Sequence, residues 1–186
     1  MSREVLTETS PDVPLGDNRP VVGFFGKLPS TGDFVWRGLP DVFRRYWDGW
    51  ITRTVAPLQQ DGAAFPAGGL RFLLASGGRT AAGLVLASQD SVGRGFPLSL
   101  MLIADGGLTQ DQTDSWCDLA LTLMTPKEPP LSPDDLWQRL DALPAPDPQG
   151  PATGSFRLWT AGSPALAATP EGSSALIRQL LSLPQD

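Results

Sequence analysis

Lys27 and a few scattered aspartates are the residues of this chain best suited to acid–base chemistry. Lys27 is the only lysine among the first 126 residues and stands in the stretch GFFGKLPSTGDFVWRGLP, residues 23–40. A desolvated lysine can act as a general base or form a Schiff base, because burial lowers the pKa of an amine. A lysine at the end of a strand is more commonly solvated or ion-paired. A pair with Asp33 and a contact with a partner protein are therefore the two other interpretations.

The aspartates could in principle supply a general acid and a general base, since a pair of carboxyl groups needs no histidine. The candidates are Asp33, Asp48, Asp90 and Asp105. Acids beside glycine and serine more often cap turns or helices through their side-chain oxygens. We expect Asp33 to accept hydrogen bonds from the N–H groups of a short helical turn, FVWRG, that ends at Gly38.

The composition excludes several common kinds of active site. The chain has no histidine and a single cysteine, Cys117. Ser-His-Asp and Cys-His sites, histidine-ligated metals, zinc clusters and internal disulfides are therefore excluded. GFFGK does not fit a phosphate-binding P-loop, because Gly23 and Gly26 are too close together and Leu28 stands where a hydroxyl group would bind magnesium. We expect no metal, no cofactor and no enzymatic activity.

The bulk composition predicts one acidic globular domain. The chain has 186 residues, a formal net charge of −6 and a pI near 4.6, which argues against binding to nucleic acid. It contains no secretory signal and no apolar run long enough for insertion into a membrane, so the cytoplasm is the expected location. We expect a flexible, proline-containing arm over residues 1–20 and a single domain over residues 21–186.

Hydrophobic periodicity predicts the elements that must position these residues. Apolar residues at helical spacing predict an amphipathic helix from Asp41 that is stopped by Pro57. Thr109 with Gln112 forms a capping-box sequence before a helix to about residue 124, and Ser132 begins another helix. SSALIRQLLSL closes the chain as a short helix, and five apolar runs are predicted strands: VVGFFG, LRFLLAS, AGLVLAS, FPLSLMLIAD and SFRLWTA. LRFLLAS and AGLVLAS form a hairpin, and one sheet covered by helices is the simplest architecture.

The tryptophans divide into two groups. Four of the six lie on predicted helices, where a large aromatic residue is expected in the core: Trp47, Trp50, Trp116 and Trp137. Trp36 lies instead in the turn-rich stretch. There it is either tucked under the loop or left exposed as an anchor for another protein.

Residues 23–40, together with DSVGRGFPLSL at 90–100, resemble the TagF family, also called ImpM, of proteins associated with bacterial type VI secretion. YWDGWI at 46–51 and LRFLL at 70–74 match further family motifs in the same order and spacing. Thr31 and Ser91 stand where the family often has arginine, and Gly95 stands where it often has an aromatic residue.

The resemblance implies an α/β fold, a three-layer α/β/α sandwich with one central mixed sheet. It also implies a cytoplasmic accessory protein without enzymatic activity that represses the secretion apparatus post-translationally by binding a protein, with a forkhead-associated scaffold as the implied target. The alternative is a structural or assembly component of the apparatus with no repressor role. The residues expected at the partner interface are Lys27, Pro29, Asp33, Trp36, Arg37, Asp90, Arg94 and Phe96.

Two interpretations of the two motif blocks stay open at this point. In the first, the blocks form neighbouring loops that dock a secretion component, because rigid turns hold charges and aromatic rings at low entropic cost. In the second, they lock the fold, with Phe24, Phe34 and Phe96 in the core and Arg94 paired internally with an acid.

Overall fold

The computed structural model of the protein describes residues 19–182. The predicted arm, residues 1–20, lies outside the described residues except for Arg19 and Pro20. The strands are β1 (Val21–Lys27), β2 (Phe34–Arg37), β3 (Leu70–Ser76), β4 (Arg79–Leu86), β5 (Leu98–Asp105), β6 (Phe156–Thr160) and β7 (Leu166–Ala168). The helices are α1 (Asp41–Thr54), α2 (Ala56–Gln60), α3 (Gln110–Leu123), α4 (Pro133–Asp141) and α5 (Ser173–Leu181).

The seven strands form one sheet in the order β2-β1-β5-β4-β3-β6-β7. Every neighbouring pair in this sheet is antiparallel. The expected combination of helices with one sheet is therefore confirmed, but the expectation of a mixed sheet is wrong. The physical reason is the connectivity: β3, β4 and β5 follow one another as a meander, and antiparallel neighbours need no crossover helix between them.

Two hydrophobic clusters lie on opposite faces of the sheet. Alternate side chains of each strand point to opposite faces, so on β5 Met101 and Ile103 join one cluster while Leu100 and Leu102 join the other. Helices α1, α2 and α5 pack on the first face, which we call the α1 face. Helices α3 and α4 pack on the second, which we call the α3 face.

Helix α1 is held to the sheet by its tryptophans. Trp47 and Trp50 are buried, as the helical spacing predicts, and their indole N–H groups also have partners. The Trp47 indole donates to the Ser99 hydroxyl at 2.9 Å, and the Trp50 indole donates to the Ser173 hydroxyl at 3.0 Å. Because buried indole N–H groups are costly to leave unpaired, these bonds fix α1 against β5 and α5.

The local sequence signals at α3, at α4 and at the β3–β4 hairpin are confirmed. The Thr109 hydroxyl accepts from the Gln112 amide at 3.2 Å, and the Gln112 side chain accepts from the Thr109 amide at 3.0 Å, which completes the capping box of α3. The Ser132 hydroxyl accepts from the Asp135 amide at 3.1 Å and caps α4. The predicted hairpin of β3 and β4 turns at Gly77 and Gly78, whose φ angles of 58° and 79° suit the turn that matches strand twist.

Three details differ from the sequence prediction. FVWRG is not a helical turn: residues 34–37 form β2, because the free edge of β1 offers a hydrogen-bonded ladder to a segment of aromatic and β-branched residues. Helix α1 ends at Thr54, and Pro57 lies instead in the first turn of the short helix α2. The three-residue strand β7 was not predicted, since a strand of that length leaves little periodic pattern.

A buried arginine joins β3 to α3 on the α3 face. The Arg71 side chain is only 3% exposed, and its two terminal nitrogens lie 2.6 Å from Asp114 Oδ1 and 2.5 Å from Asp118 Oδ1. The Trp159 indole donates to the same Asp114 oxygen at 2.8 Å. We call these four residues the Arg71 network. Asp114 and Asp118 are four residues apart and therefore lie on one side of α3.

Candidate functional site

The two motif blocks meet at one end of the sheet. The Ser91 amide donates to the Thr31 carbonyl at 2.7 Å, and the Ser88 hydroxyl donates to the Lys27 carbonyl at 2.8 Å. We call this contact between residues 27–33 and residues 88–96 the loop junction. Segments about sixty residues apart in the chain are thereby fixed against each other by one main-chain hydrogen bond and one bond from a side chain to the main chain.

Asp90 organises the loop junction from the inside. Its side chain is fully buried, and one carboxylate oxygen accepts from the amides of Val92 and Arg94 at 3.1 and 2.9 Å. The other oxygen accepts from Lys27 Nζ at 3.0 Å and from Arg94 Nε at 2.8 Å. We call Asp90, Lys27, Arg94 and the two amides the Asp90 network. Four donors for one buried carboxylate make a fully satisfied ionic site.

These contacts determine the charge state of Asp90. Burial of the carboxylate acts to raise its pKa, but the opposing hydrogen bonds from the Arg94 amide, Lys27, the Arg94 side chain and the Val92 amide outweigh that effect. The pKa of Asp90 is therefore held well below its ordinary value of 3.8. The side chain is an anion throughout the physiological range.

Lys27 lies at the base of the loop junction and does not face solvent. It is 7% exposed, and besides Asp90 its ammonium group reaches the Arg94 carbonyl at 3.5 Å and lies 5.1 Å from the centre of the Phe34 ring. The interpretation of Lys27 as an ion-pair partner fits this geometry, but the suggested partner Asp33 is wrong. Asp33 is exposed, and its carboxylate accepts from the Phe34 amide at 2.8 Å, at the start of β2 rather than of a helix.

Arg94 links the buried network to the surface. Its side chain is 63% exposed although Nε is bonded to Asp90, and a terminal nitrogen donates to the Gly32 carbonyl at 2.6 Å. The guanidinium group therefore holds the first loop in place with one side and faces solvent with the other. A partner carboxylate could contact it without breaking either bond, because a guanidinium group carries five N–H donors.

Aromatic rings form the wall beside Lys27. Phe96 is buried and meets the Phe34 ring edge to face at 4.7 Å and the Phe25 ring at 6.2 Å. Phe34 itself is 42% exposed. Of the phenylalanines expected in the core, Phe24 and Phe96 are buried, whereas Phe34 only covers the network from outside.

Trp36 and Arg37 extend the site along β2, on opposite faces of the strand. Trp36 is 43% exposed and covers the Arg44 guanidinium group of α1, which lies 4.4 Å from the centre of the indole ring. Trp36 is thus neither fully tucked under the loop nor free of contacts. Arg37 Nε lies 2.7 Å from Asp134 Oδ1 of α4, so Arg37 is joined to the α3 face and is not part of the loop junction.

A groove of about 610 Å³ borders the loop junction at Pro29, which is exposed. Among the described residues that line it there is no ionisable side chain, and Gln59, Ser88 and Gln89 supply its side-chain hydrogen-bonding groups. The Gln59 amide donates to the Ser88 carbonyl at 2.7 Å, so the groove and the junction share a wall. What this surface offers a ligand is apolar contact and hydrogen bonding.

The structure separates the eight predicted interface residues. Lys27, Asp90 and Phe96 are buried, whereas Pro29, Asp33, Trp36 and the Arg94 side chain are exposed around them, and Arg37 is half-buried on the other face. Sequence reasoning missed Arg44 as the cation beneath Trp36 and Ser88 as the link to β1. Arg44 could have been found from its place in the first turns of the helix that follows Trp36 in the chain. No local signal in the sequence pointed to Ser88.

Two further properties concern the whole described range, residues 19–182. Within it, no three histidine, cysteine, aspartate or glutamate side chains are grouped so that they could bind a metal ion. None of its helices has the length and apolar character needed to cross a bilayer.

Comparison with known proteins shows that a single family model covers both motif blocks. A family model described as the TagF N-terminal domain, type VI secretion system-associated, matches residues 23–143. The crystal structure of PA0076 from Pseudomonas aeruginosa PAO1 is similar, with a TM-score of 0.56 and 28% sequence identity over 85% of this chain and 76% of that chain. No match was found among curated proteins. The family match runs from β1 to the end of α4 and therefore contains the whole loop junction.

Proposed function

The chain belongs to the TagF N-terminal domain family, which is associated with type VI secretion, and we propose that it acts there as a post-translational negative regulator. In this proposal it works in the cytoplasm by binding another protein, without catalysis. A forkhead-associated scaffold protein is the proposed target. The binding surface is the exposed part of the loop junction together with β2.

The observation that carries the proposal is the division of the motif residues between interior and surface. The inner part of the Asp90 network, formed by the Asp90 carboxylate and Lys27, is buried and hydrogen-bonded, so it can hold both loops rigid before any partner arrives. Above it lie Arg94, Phe34 and Trp36, each of which is between about two-fifths and two-thirds exposed. A rigid base beneath exposed arginine and aromatic side chains is the arrangement found at high-affinity protein interfaces.

The same division reconciles the two interpretations of the motif blocks. Lys27, Asp90 and Phe96 hold the fold, Trp36 and Phe34 contact the partner, and Arg94 does both, since it bonds to Asp90 and Gly32 and also faces solvent. The proposal also includes the three-layer α/β/α sandwich that the family resemblance implies. Helices packed on both faces of the sheet support it.

A direct binding experiment tests the proposal. The chain is immobilised, and the forkhead-associated protein encoded with the same type VI apparatus is titrated over it, with Arg94→Ala and Trp36→Ala as variants. We expect each substitution to weaken binding about tenfold or more, as for hot-spot residues. Expression of the same variants in the secreting bacterium should then relieve repression of effector release.

Arg79→Ala is the matched control. Arg79 is also an exposed arginine bonded to an aspartate, Asp105, at 2.6 Å, but it lies on β4 beside the hairpin turn and outside the motif blocks. Its substitution should leave binding unchanged. If folded Arg94→Ala and Trp36→Ala proteins bind as the wild type does, the interface lies elsewhere. If the wild type itself does not bind the forkhead-associated protein, that target is wrong.

A further inference from the structure

Strand β2 is an edge strand whose outward hydrogen-bonding groups can be identified. On its inner side, Val35 is paired with Gly26 and Arg37 with Phe24. The Val22 carbonyl also points towards β2, since it lies against Gly38 and accepts from the Trp137 indole at 3.2 Å. The backbone N–H and C=O groups of residues 22, 24 and 26 of β1 therefore face β2. On β2, the backbone groups of residues 35 and 37 face β1 in turn. By alternation, Phe34 and Trp36 direct their N–H and C=O groups away from the sheet.

Two of these four outward groups are occupied by side chains of neighbouring residues. The Phe34 N–H donates to the Asp33 carboxylate at 2.8 Å. The Trp36 carbonyl accepts from Arg37 Nη1 at 2.8 Å. Charged side chains that cover an edge in this way are a common protection against unwanted strand pairing.

The other two outward groups, the Phe34 carbonyl and the Trp36 N–H, have no hydrogen-bond partner within the described part of the chain. The positions of these two free groups determine whether an added strand would run parallel or antiparallel to β2. In a parallel pair, one incoming residue donates to the carbonyl of residue i−1 and accepts from the N–H of residue i+1. An antiparallel partner would need the N–H and the carbonyl of one residue, but the Phe34 N–H is already donated to Asp33 and the Arg37 side chain covers the Trp36 carbonyl.

We propose that β2 receives an extended segment of a partner protein as a parallel strand, centred on Val35. The incoming residue opposite Val35 bonds to the Phe34 carbonyl and the Trp36 N–H. Its two neighbours direct their side chains to the α1 face, where the exposed rings of Phe34 and Trp36 lie. The partner segment therefore carries apolar residues at alternate positions, as in other cases of strand addition to a sheet edge.

A second copy of this chain is not the expected occupant. Two identical β2 strands related by a two-fold axis would pair antiparallel, which is the arrangement that Asp33 and Arg37 obstruct. The inference deepens the proposed function, because it specifies how β2 would take part in partner binding.

Proline substitutions test the geometry of β2 itself. Proline is tolerated in an edge strand only where the N–H faces solvent. Trp36→Pro should therefore fold with a thermal midpoint close to that of Trp36→Leu, whereas Val35→Pro, which removes a ladder bond to β1, should lower the midpoint clearly. The reverse order would overturn the assignment of the outward groups.

Binding is tested with a phage-displayed library of random twelve-residue peptides, selected on the wild-type chain. We expect enriched peptides with alternating apolar residues. Their affinity should fall about tenfold more in Trp36→Pro than in Trp36→Leu, because both variants lack the ring but only proline lacks the donor. A chain carrying the α-hydroxy analogue of tryptophan at position 36 keeps the ring, removes the N–H and should show the same loss.

Direction is tested by photo-cross-linking from either end of a selected peptide. A parallel strand places the peptide N-terminus near Asp33 and its C-terminus near Gly38. The opposite labelling, equal binding to Trp36→Pro and Trp36→Leu, or no enrichment from the library would each overturn the proposal. Because the library contains no secretion component, these outcomes are independent of whether the forkhead-associated protein binds.

Discussion

The Asp90 network and the Arg71 network are both buried ion clusters, but they are built in opposite senses. In the first, a fully buried carboxylate receives two cations and two amides, and one of the cations reaches the surface. In the second, a buried guanidinium group receives two carboxylates, of which Asp118 is 67% exposed. The first joins two loops, and the second joins a strand to a helix.

The difference shows, for each network, whether a substitution leaves a charge buried without a partner, and therefore how much stability the chain loses. Removal of one partner from a buried pair is costly mainly because the other charge stays unpaired away from water. Without Asp90, the Lys27 ammonium group would remain buried beside a carbonyl and an aromatic ring. Without Arg71, the acids of α3 could turn towards solvent, because they already lie near it.

Asp90→Ala should therefore cause the largest loss of stability among the substitutions in the two networks. It leaves Lys27 buried without a counter-ion and removes the acceptor that shapes residues 90–94. The measurement is the urea midpoint of unfolding, followed by circular dichroism. Double substitution Lys27→Met with Asp90→Ala is the control, because it removes the stranded charge and should recover part of the loss. A midpoint for Asp90→Ala above that of Arg71→Met would contradict the comparison.

Arg71→Met should come second. Methionine keeps most of the apolar volume, and we expect a loss of about 2 to 3 kcal/mol, below the roughly 3 to 5 kcal/mol typical when a fully buried charge is left unpaired. Asp118→Asn provides the graded control: the Asp118 side chain is itself 67% exposed, so the loss should stay within about 1 kcal/mol. Asp114→Asn should lie between the two, since Asp114 also accepts from Trp159. Equal losses for Asp114→Asn and Asp118→Asn would show that the exposure of a carboxylate does not determine how much its ion pair with Arg71 stabilises the chain.

Acid should weaken the Asp90 network in a defined direction. The pKa of Asp90 is lower in the folded chain than in the unfolded chain, so the unfolded state takes up a proton first as the pH falls. Its contribution to stability is complete well above the unfolded pKa of about 4, and it declines progressively as the pH falls below about 5. Urea midpoints of the wild type and Asp90→Asn at about pH 6 and pH 3 measure this. The wild type should lose more stability over that interval than Asp90→Asn. Equal losses in the two proteins would assign the acid sensitivity to other carboxylates.

The same two networks show how far the sequence could predict the fold and the site. Periodicity and capping residues located α1, α3, α4, α5 and five of the strands, because those signals are local. The pairing of Asp114 and Asp118 on α3 with Arg71 was not predicted. Arg71 stands inside the apolar run LRFLLAS, and no local rule identifies a buried arginine on a strand.

The resemblance singled out the two blocks that meet at the loop junction, but the residues alone suggested the wrong ion pair. Asp33 was the nearest acid after Lys27 in the chain, while the actual partner Asp90 lies 63 positions away. Convergence over that distance depends on the pairing of β1 with β5, and FVWR became a strand by pairing with the other edge of β1. Which residues of a motif are buried depends on those tertiary pairings, and so the division of the motif residues into buried and exposed ones needed the structure.

Cys117 allows the two networks to be compared in the native state. It is buried on α3 between Asp114 and Asp118, and burial raises the pKa of its thiol to about 12, with the lowering effect of Arg71 too weak to offset this. At about pH 8 almost no thiolate is present, and a thiol reagent such as dithionitrobenzoate needs an opening of the α3 face to react. Arg71→Met should therefore accelerate labelling beyond the increase expected from its loss of global stability. Asp90→Ala should accelerate labelling only in proportion to the loss of global stability, because the loop junction lies in the β1–β2 and β4–β5 loops. If both variants follow the same proportion, Cys117 is exposed only by complete unfolding, and the two networks belong to one cooperative unit.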